Sequence, residues 1–353
     1  MKCLKLKTKN IGAGFLYFYI HFVTEVVCFF VLGRYIESAP MMWLIFFIYD
    51  MLAFVPQSII GYINDKFPKL CFGMVGLVLL ALALLLQNSI TGLPLLSLVI
   101  LCLGNAFIHV NGAEITLKSS CGKLSHSAIF VSGGSFGVVF GKLLATTSFP
   151  YWLLFVLILS AVPFILLAQT YSDKECPNLS KSFNYENQSI SKALIVILAV
   201  MVVVIRGYMA YGIPTSWRKT TIQTIIFFVF MGIGKAMGGI LSDLFGVKRI
   251  AMLSVAVACP LLMFGDKNMI VSLIGVMFFS MTMSISLASL VSVLPNKPGL
   301  AFGLTTIGLF IGAAPVFFFR LQGLTANCIM LFSLTVVCLI CFGITLRKDV
   351  VDE

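Results

Sequence analysis

The chain has 353 residues, of which 60% are hydrophobic and only 10% charged, and its mean hydropathy is +1.06. A soluble domain carries about a quarter of its residues as Asp, Glu, Lys or Arg, so a water-soluble globule is excluded. The formal net charge of +11 invites a nucleic-acid partner, but the basic residues punctuate the ends of apolar runs instead of lining one face, as topology signals do.

Twelve apolar runs follow one another, each near the length of about 20 residues that crosses the hydrocarbon core as helix. The first half holds runs at about 11–33, 41–62, 70–88, 94–116, 126–147 and 150–170. The second holds runs at about 192–214, 220–241, 249–265, 268–293, 300–320 and 325–346. Met1–Asn10 carries four Lys, but the run behind it is too long for a signal peptide and lacks a small-residue cleavage site. The longest connector, 171–191, is rich in Ser, Asn and charge. It reads as a cytoplasmic linker between an N-terminal six-helix half (1–170) and a C-terminal one (192–353). The ten Cys are scattered, mostly inside apolar runs, without a CxxC or Cys/His cluster, and are expected to be free thiols packed as small hydrophobes.

Orientation follows from Lys and Arg counted by side. With the N-terminus inside, inner segments carry sixteen and outer segments five, so both termini are expected to be cytoplasmic in a cell (plasma) membrane. Charged or His side chains inside the runs are His21, Glu25, Asp50, His109, Glu114, Lys142, Arg206 and Lys235. Runs three, six, nine and twelve carry none in their interiors. Every third helix is therefore fit to face lipid, while the charges that lipid would penalise fall on the others. Four triplets in two halves form a nested repeat of the kind found in carriers.

Two loops share a pattern. Gly61, Asp65, Lys66 and Lys69 close the second run, and Gly239, Asp243, Gly246, Lys248 and Arg249 close the eighth. The same offset, about half the chain, separates Gly61 from Gly239 and Asp65 from Asp243. Both copies resemble the loop Gly-x-x-x-Asp-(Arg/Lys)-x-Gly-(Arg/Lys)-(Arg/Lys) of the major facilitator superfamily, with Pro68 in place of the second Gly in the first copy. The resemblance covers the whole chain. It implies twelve helices around a central cavity, alternating access, and a cytoplasmic latch at these loops. Gly permits close helix approach, and the Asp can accept hydrogen bonds at a neighbouring helix N-terminus.

The fifth run places Gly133, Gly137 and Gly141 at i, i+4 and i+8, a smooth stripe for another backbone. Gly308 and Gly312 repeat it in the eleventh. The run from Gly133 to Ala145 is similar to the Gly-Gly-x-Phe-Gly-x-x-x-Gly-Pro-Leu-Leu-Ala stretch of the fosmidomycin-resistance-like efflux branch, with Lys142 at its Pro. Gly104 to His109 echoes that branch's fourth helix. This local resemblance, over about residues 104–145, implies drug export.

His21 and Glu25 are i, i+4 on one helix face and can share a proton. Asp50 lies near mid-depth, where burial favours a neutral carboxyl. Glu25, Asp50 and His21 are therefore the proton-coupling candidates, against the alternative that Asp50 only pairs with Lys142 to fix packing. Glu114, four residues before Lys118, reads as a surface pair. Arg206, Lys235 and Lys142, with His109 and Asn105, are candidates to meet an anionic or polar solute. Tyr208, Tyr211 and Trp217 read as an interfacial belt, with a gate as the alternative.

Together these features predict an all-α polytopic membrane protein, monomeric, that moves a small organic solute by secondary, proton-coupled transport. A drug/proton antiporter and a transport-inactive sensor with a carrier fold are the alternatives. No P-loop and no His-Glu-x-x-His spacing occurs, so neither ATP drive, an intramembrane hydrolase, a metal nor a cofactor is expected.

Overall fold

The structure is a computed structural model and describes residues 12–36, 41–89, 94–172, 182–319 and 323–347. The four Lys of the first ten residues, Arg320, Lys348 and residues 173–181 of the 171–191 connector, with Lys174 and Lys181, lie outside them. In chain order the helices are α1 (Gly12–Ile36), α2 (Met42–Phe54), α3 (Gln57–Lys66), α4 (Phe72–Ser89), α5 (Pro94–Ser119), α6 (Ser125–Ala145) and α7 (Trp152–Ser172). They continue as α8 (Lys192–Gly212), α9 (Thr221–Phe245), α10 (Val247–Phe264), α11 (Met269–Val293), α12 (Pro298–Phe318) and α13 (Leu324–Thr345). Among the described residues eleven spans, counting α2 and α3 as one, are long and apolar enough to cross a membrane, and the shorter α4 occupies the third predicted run. The protein is thus an all-α, polytopic membrane protein. Among the described residues the only β pairing is an isolated bridge between Glu186 and Leu346.

The second run departs from expectation by being two helices. Pro56 has no N–H to continue the ladder and its ring crowds the preceding turn, so α2 ends at Phe54 and α3 restarts at Gln57. Pro163, Pro260 and Pro315 stay inside their helices. Polar caps start several spans. Thr220 and Gln223 form a reciprocal capping box on α9, Ser191 caps α8 and Asn268 caps α11. Between α9 and α10 the chain turns through Gly246 at φ 96°, a conformation that favours glycine.

Packing repeats between the halves. Within the first, α1 lies along α6 and α4 along α5; within the second, α8 lies along α12 and α10 along α11. Across the interface α6 meets α9, and α3 meets α12. The glycine stripe makes the α1–α6 approach possible: a Cβ at Gly133, Gly137 or Gly141 would run into the carbonyl oxygens of Phe18, Phe22 and Val26. Gly312 plays the same part against Val204, while Gly308 meets the Val203 side chain less tightly. Helices α4, α7, α10 and α13, whose interiors carry no charge, pack mainly within their own halves, as expected of an outer layer. Burial alone does not single them out, because α9 is as exposed as α7.

The described end of the 171–191 connector is docked. Tyr185 and Asn187 pair with the backbone at the end of α13 through Arg347 N–H to Tyr185 O (3.0 Å) and Asn187 N–H to Thr345 O (2.8 Å). The Tyr185 hydroxyl donates to Gly122 O in the first half. Cysteines 28, 71, 102, 259, 328, 338 and 341 are free thiols. Cys121 corrects the expectation for that position, being disulfide-bonded.

Candidate functional site

The i, i+4 register of α1 stacks His21 over Glu25, and α5 brings Asn105 and His109 onto the same carboxylate. His21 Nε2 is 3.6 Å and His109 Nε2 3.5 Å from Glu25 Oε1. Asn105 Nδ2 lies 2.9 Å from the same oxygen, 3.1 Å from Tyr49 Oη and 3.5 Å from Cys28 Sγ. All of these side chains are buried. The second nitrogen of each imidazole decides the chemistry. His21 Nδ1 is 2.9 Å from Phe130 O and His109 Nδ1 is 2.9 Å from Asn105 O. A carbonyl oxygen only accepts, so both Nδ1 atoms carry hydrogen and donate. In the neutral rings both Nε2 lone pairs then face a carboxyl oxygen. Three lone-pair atoms at that separation repel unless a proton sits among them, either on Glu25 or on one imidazole. Gly134 leaves room for this, because a Cβ there would strike the His21 ring.

The site touches the second half. His109 stacks on Phe302 of α12 with ring centroids 6.5 Å apart, and Phe302 also meets Phe130. Lys235 on α9 is half-buried and interacts electrostatically with His21, Glu25 and His109. Among the described residues it has no hydrogen bond or ion pair. His109 and Asn105 thus stand with Glu25 and not with Arg206.

Asp50 and Lys142 do not form an ion pair. Asp50 Oδ2 accepts the Tyr211 hydroxyl at 3.0 Å, which ties α2 to α8 across the interface. Lys142 Nζ instead sits over the rings of Phe29 (5.2 Å), Phe46 (5.7 Å) and Phe228 (5.4 Å), an aromatic cage drawn from both halves. Tyr211, read as a belt residue, is a cross-interface tie, and Trp217 is buried against Phe227. Glu114 does pair with Lys118 (2.5 Å), but Glu114 is buried and Lys118 only partly exposed, and Asn64 also donates to Glu114. It is not a surface pair.

Arg206 stands apart, buried between α8 and α11. Nη1 donates to Thr282 Oγ1 at 2.9 Å, the guanidinium lies over Phe279 (5.4 Å), and Nε has no partner. Among the described residues no carboxylate is within 4.0 Å of it. Cavities of about 10 and 20 Å³ flank it, the first lined by Ser127, Ser284, Ser286 and Thr305. Each is water-sized, so the expected central cavity is closed around this residue.

Both loop Asp residues cap helices of the opposite half. Asp65 accepts from Gly299 N–H (2.9 Å) and Leu300 N–H (2.8 Å), the first turn of α12. Asp243 accepts from Leu124 N–H (2.8 Å) and Ser125 N–H (2.9 Å), where α6 begins. Gly61 lies against Gly299, and Gly239 against Leu124 and Ala128, so neither position has room for a Cβ. Lys66 lies over Phe67 and Lys69 is exposed. Lys248 donates to Gly343 O (2.7 Å) and Leu346 O (2.9 Å), closing the C-terminus of α13 within its own half. At the far end of the interface Trp43 and Phe47 of α2 meet Phe318 of α12, and Phe47 also meets Phe310 and Phe317. The halves are therefore in contact at both ends.

Sequence reasoning missed Tyr49, Phe302 and Thr282. Tyr49 adjoins Asp50 in sequence, which was a signal; nothing local marks the other two.

No family model matches the sequence. The fosmidomycin resistance protein of Escherichia coli (strain K12) is 24% identical over 235 residues, 58% of this chain and 56% of that protein. The match thus spans little more than half of that relative. The uncharacterized MFS-type transporter YfnC of Bacillus subtilis (strain 168) is 24% identical over 310 residues, 77% of this chain and 75% of its own. Among solved structures, the human organic anion transporter MFSD10 superposes with a TM-score of 0.67 at 14% identity, covering 95% of this chain and 98% of that one. The Escherichia coli fucose:proton symporter FucP gives 0.68 at 15% identity with the same coverage.

Proposed function

The chain has the fold of the major facilitator superfamily, and from that premise we propose that it is a secondary active transporter of a small organic solute bearing an anionic group. In this reading it works by alternating access and is coupled to protons. The observation that carries the coupling is the Glu25 carboxyl facing two Nε2 atoms, a site that has to hold a proton and that leans through His109 on Phe302 of the other half. A change in its protonation alters charge at the surface on which the halves move. Arg206, without a carboxylate partner among the described residues and with a free Nε, supplies the anion-binding group; Lys235 is the second cation of the same interface. The protein acts as a monomer in the plasma membrane with the Asp65/Asp243 face cytoplasmic.

The test is proton movement in vesicles carrying the purified protein and a trapped pH dye, challenged with anionic metabolites and hydrophobic drugs. Solute-driven proton flux supports coupling. A response to drugs alone would favour the efflux reading, which rests on the fifth-span glycine run and the partial match to the fosmidomycin resistance protein. Exchange of labelled solute without proton flux would remove coupling, and no transport of any kind would favour the sensor. Arg206→Ala is expected to lower transport of anionic solutes by at least about tenfold, the scale of one lost charged hydrogen bond. The protein should keep its yield, and Arg206→Lys should restore only part of the activity, because an ammonium cannot bind bidentately. Unchanged uptake by Arg206→Ala would remove this residue from the solute site.

The paired caps hold one face shut in this reading. Each Asp accepts two N–H groups at a helix start, an arrangement worth about 0.5–2 kcal/mol. Asp65→Ala and Asp243→Ala are each expected to raise the population open on that face by roughly 2- to 30-fold on that scale. Distances between spin labels placed across the face would report it; an unchanged distribution in both variants would show that the caps do not hold the closed state.

A further inference from the structure

The structure assigns a second ligand chemistry to His21, Glu25 and His109: we propose that the three bind a first-row transition-metal ion of the Zn²⁺, Co²⁺ or Ni²⁺ type. The proposal uses the triad but none of its assigned role in transport. One ligand atom from each residue, all three buried, lies within 4.8 Å of the other two. The nitrogen-to-oxygen separations are 3.6 and 3.5 Å. Ligands about 2.0–2.2 Å from a tetrahedral zinc ion stand roughly 3.3–3.5 Å apart, so the two N–O edges need to contract by only tenths of an ångström.

The surroundings supply what ligands of this kind require. A metal-binding imidazole donates its other N–H to a carbonyl or carboxylate, which fixes the tautomer and aims the lone pair. Both rings already do this, to Phe130 O and Asn105 O. Asn105 holds the carboxyl oxygen from the side. Two imidazoles and one carboxylate suit zinc, cobalt or nickel and disfavour Mg²⁺ and Ca²⁺, which prefer all-oxygen shells. Three protein ligands leave a position open, so the ion would exchange readily and could take a solute carboxylate as its fourth ligand. Helix α1 contributes two of the ligands, His21 and Glu25, and α5 the third, His109, so no single sequence spacing announces the whole site. Lys235 opposes the ion electrostatically, and Cys28 and Tyr49 border the cluster through Asn105.

The test is Co²⁺ titration of the purified, tag-free protein in detergent, followed by absorption and by the thermal unfolding temperature. One equivalent is expected to bind in the micromolar range, with the d–d spectrum of nitrogen and oxygen ligands and no sulfur-to-cobalt charge-transfer band. Zn²⁺ should displace it. His109→Gln and His21→Gln should each weaken binding at least about tenfold and abolish the metal-induced rise in unfolding temperature. Lys235→Gln, which leaves all three ligands in place, should tighten binding. Absence of binding to the wild-type protein, a sulfur-dominated spectrum, or affinity indifferent to both His substitutions would overturn the proposal. Should the His variants fail to fold, Lys235→Gln decides: unchanged or weaker binding overturns it. Metal binding without proton flux in vesicles would overturn the coupling reading alone, and proton flux without metal binding would overturn this one alone.

Discussion

Glu25→Gln is expected to reduce solute-driven proton flux to background while the protein is still made, purified and folded. Glutamine is close to isosteric with glutamic acid and carries no exchangeable carboxyl proton. At the position of the Glu25 oxygen that all three neighbours face, its amide can present either Oε1 to Asn105 or Nε2 to one of the imidazole lone pairs. One of the buried contacts is therefore kept in either orientation, which limits the penalty for unpaired polar groups. What disappears is the atom that can gain and lose a proton between the two rings. The measurement is the pH-dye signal in vesicles, alongside the unfolding temperature of the variant. Exchange of labelled solute without a concentration gradient should persist, because uncoupled exchange does not need the proton. Retained proton flux would return the triad to a packing role. The companion variant Asp50→Asn separates the two carboxyl groups: Asp50 accepts one hydroxyl from Tyr211 and faces no imidazole, so its loss should affect the outer tie between α2 and α8 more than the coupling.

The second large effect is on stability. Gly137→Leu is expected to lower the unfolding temperature by several degrees or to prevent recovery of monodisperse protein. A Cβ at Gly137 would meet the carbonyl oxygen of Phe22 and the Cβ of Glu25, and no flexible side-chain end is available to give way against the backbone atom. Overpacking of this kind costs about 1–3 kcal/mol, and more where backbone must move. It also pushes α1 away from α6 at the level of Glu25, so the site is disturbed together with the fold. Gly343→Ala is the control. It sits in α13 with nothing within 4 Å of an added Cβ, and alanine is the better helix former by about 1 kcal/mol. Its unfolding temperature should be unchanged or slightly raised. Equal losses in both variants would mean that the glycine stripe has no special packing role.

Much of this architecture was legible because lipid imposes strong rules on sequence. A span has to be apolar for about 20 residues, and its backbone must be satisfied within the helix, so hydropathy located the described spans to within a few residues. The duplicated Gly–Asp loops showed the internal symmetry, and the cross-half caps made by Asp65 and Asp243 have the chemistry expected of an acid at a helix N-terminus. The glycine spacing in α6 forecast a close helix neighbour and the structure identifies it as α1. Local register also placed His21 above Glu25.

Other features depend on which helices become neighbours, and no local pattern encodes that. His109 joins Glu25 because α5 packs beside α1; in sequence it is a single His among apolar residues. Opposite charges on nearby spans suggested a pair between Asp50 and Lys142, yet Asp50 finds Tyr211 and Lys142 finds three phenylalanines, because the side chains nearest to each are set by helix rotation and by the break at Pro56. Lys118 looked solvated four residues after Glu114, whereas the packing beside Asn64 buries Glu114 and leaves Lys118 only partly exposed. The sequence by itself determined the number of membrane spans, their pairing into two related halves, and which residues carry charge into the bilayer, because each of these follows from a length, a repeat or the cost of desolvation along a single helix. Only the tertiary structure decided which of those charges meet, since contacts between helices distant in the chain depend on rotation and depth, and one helix turn is enough to exchange one partner for another.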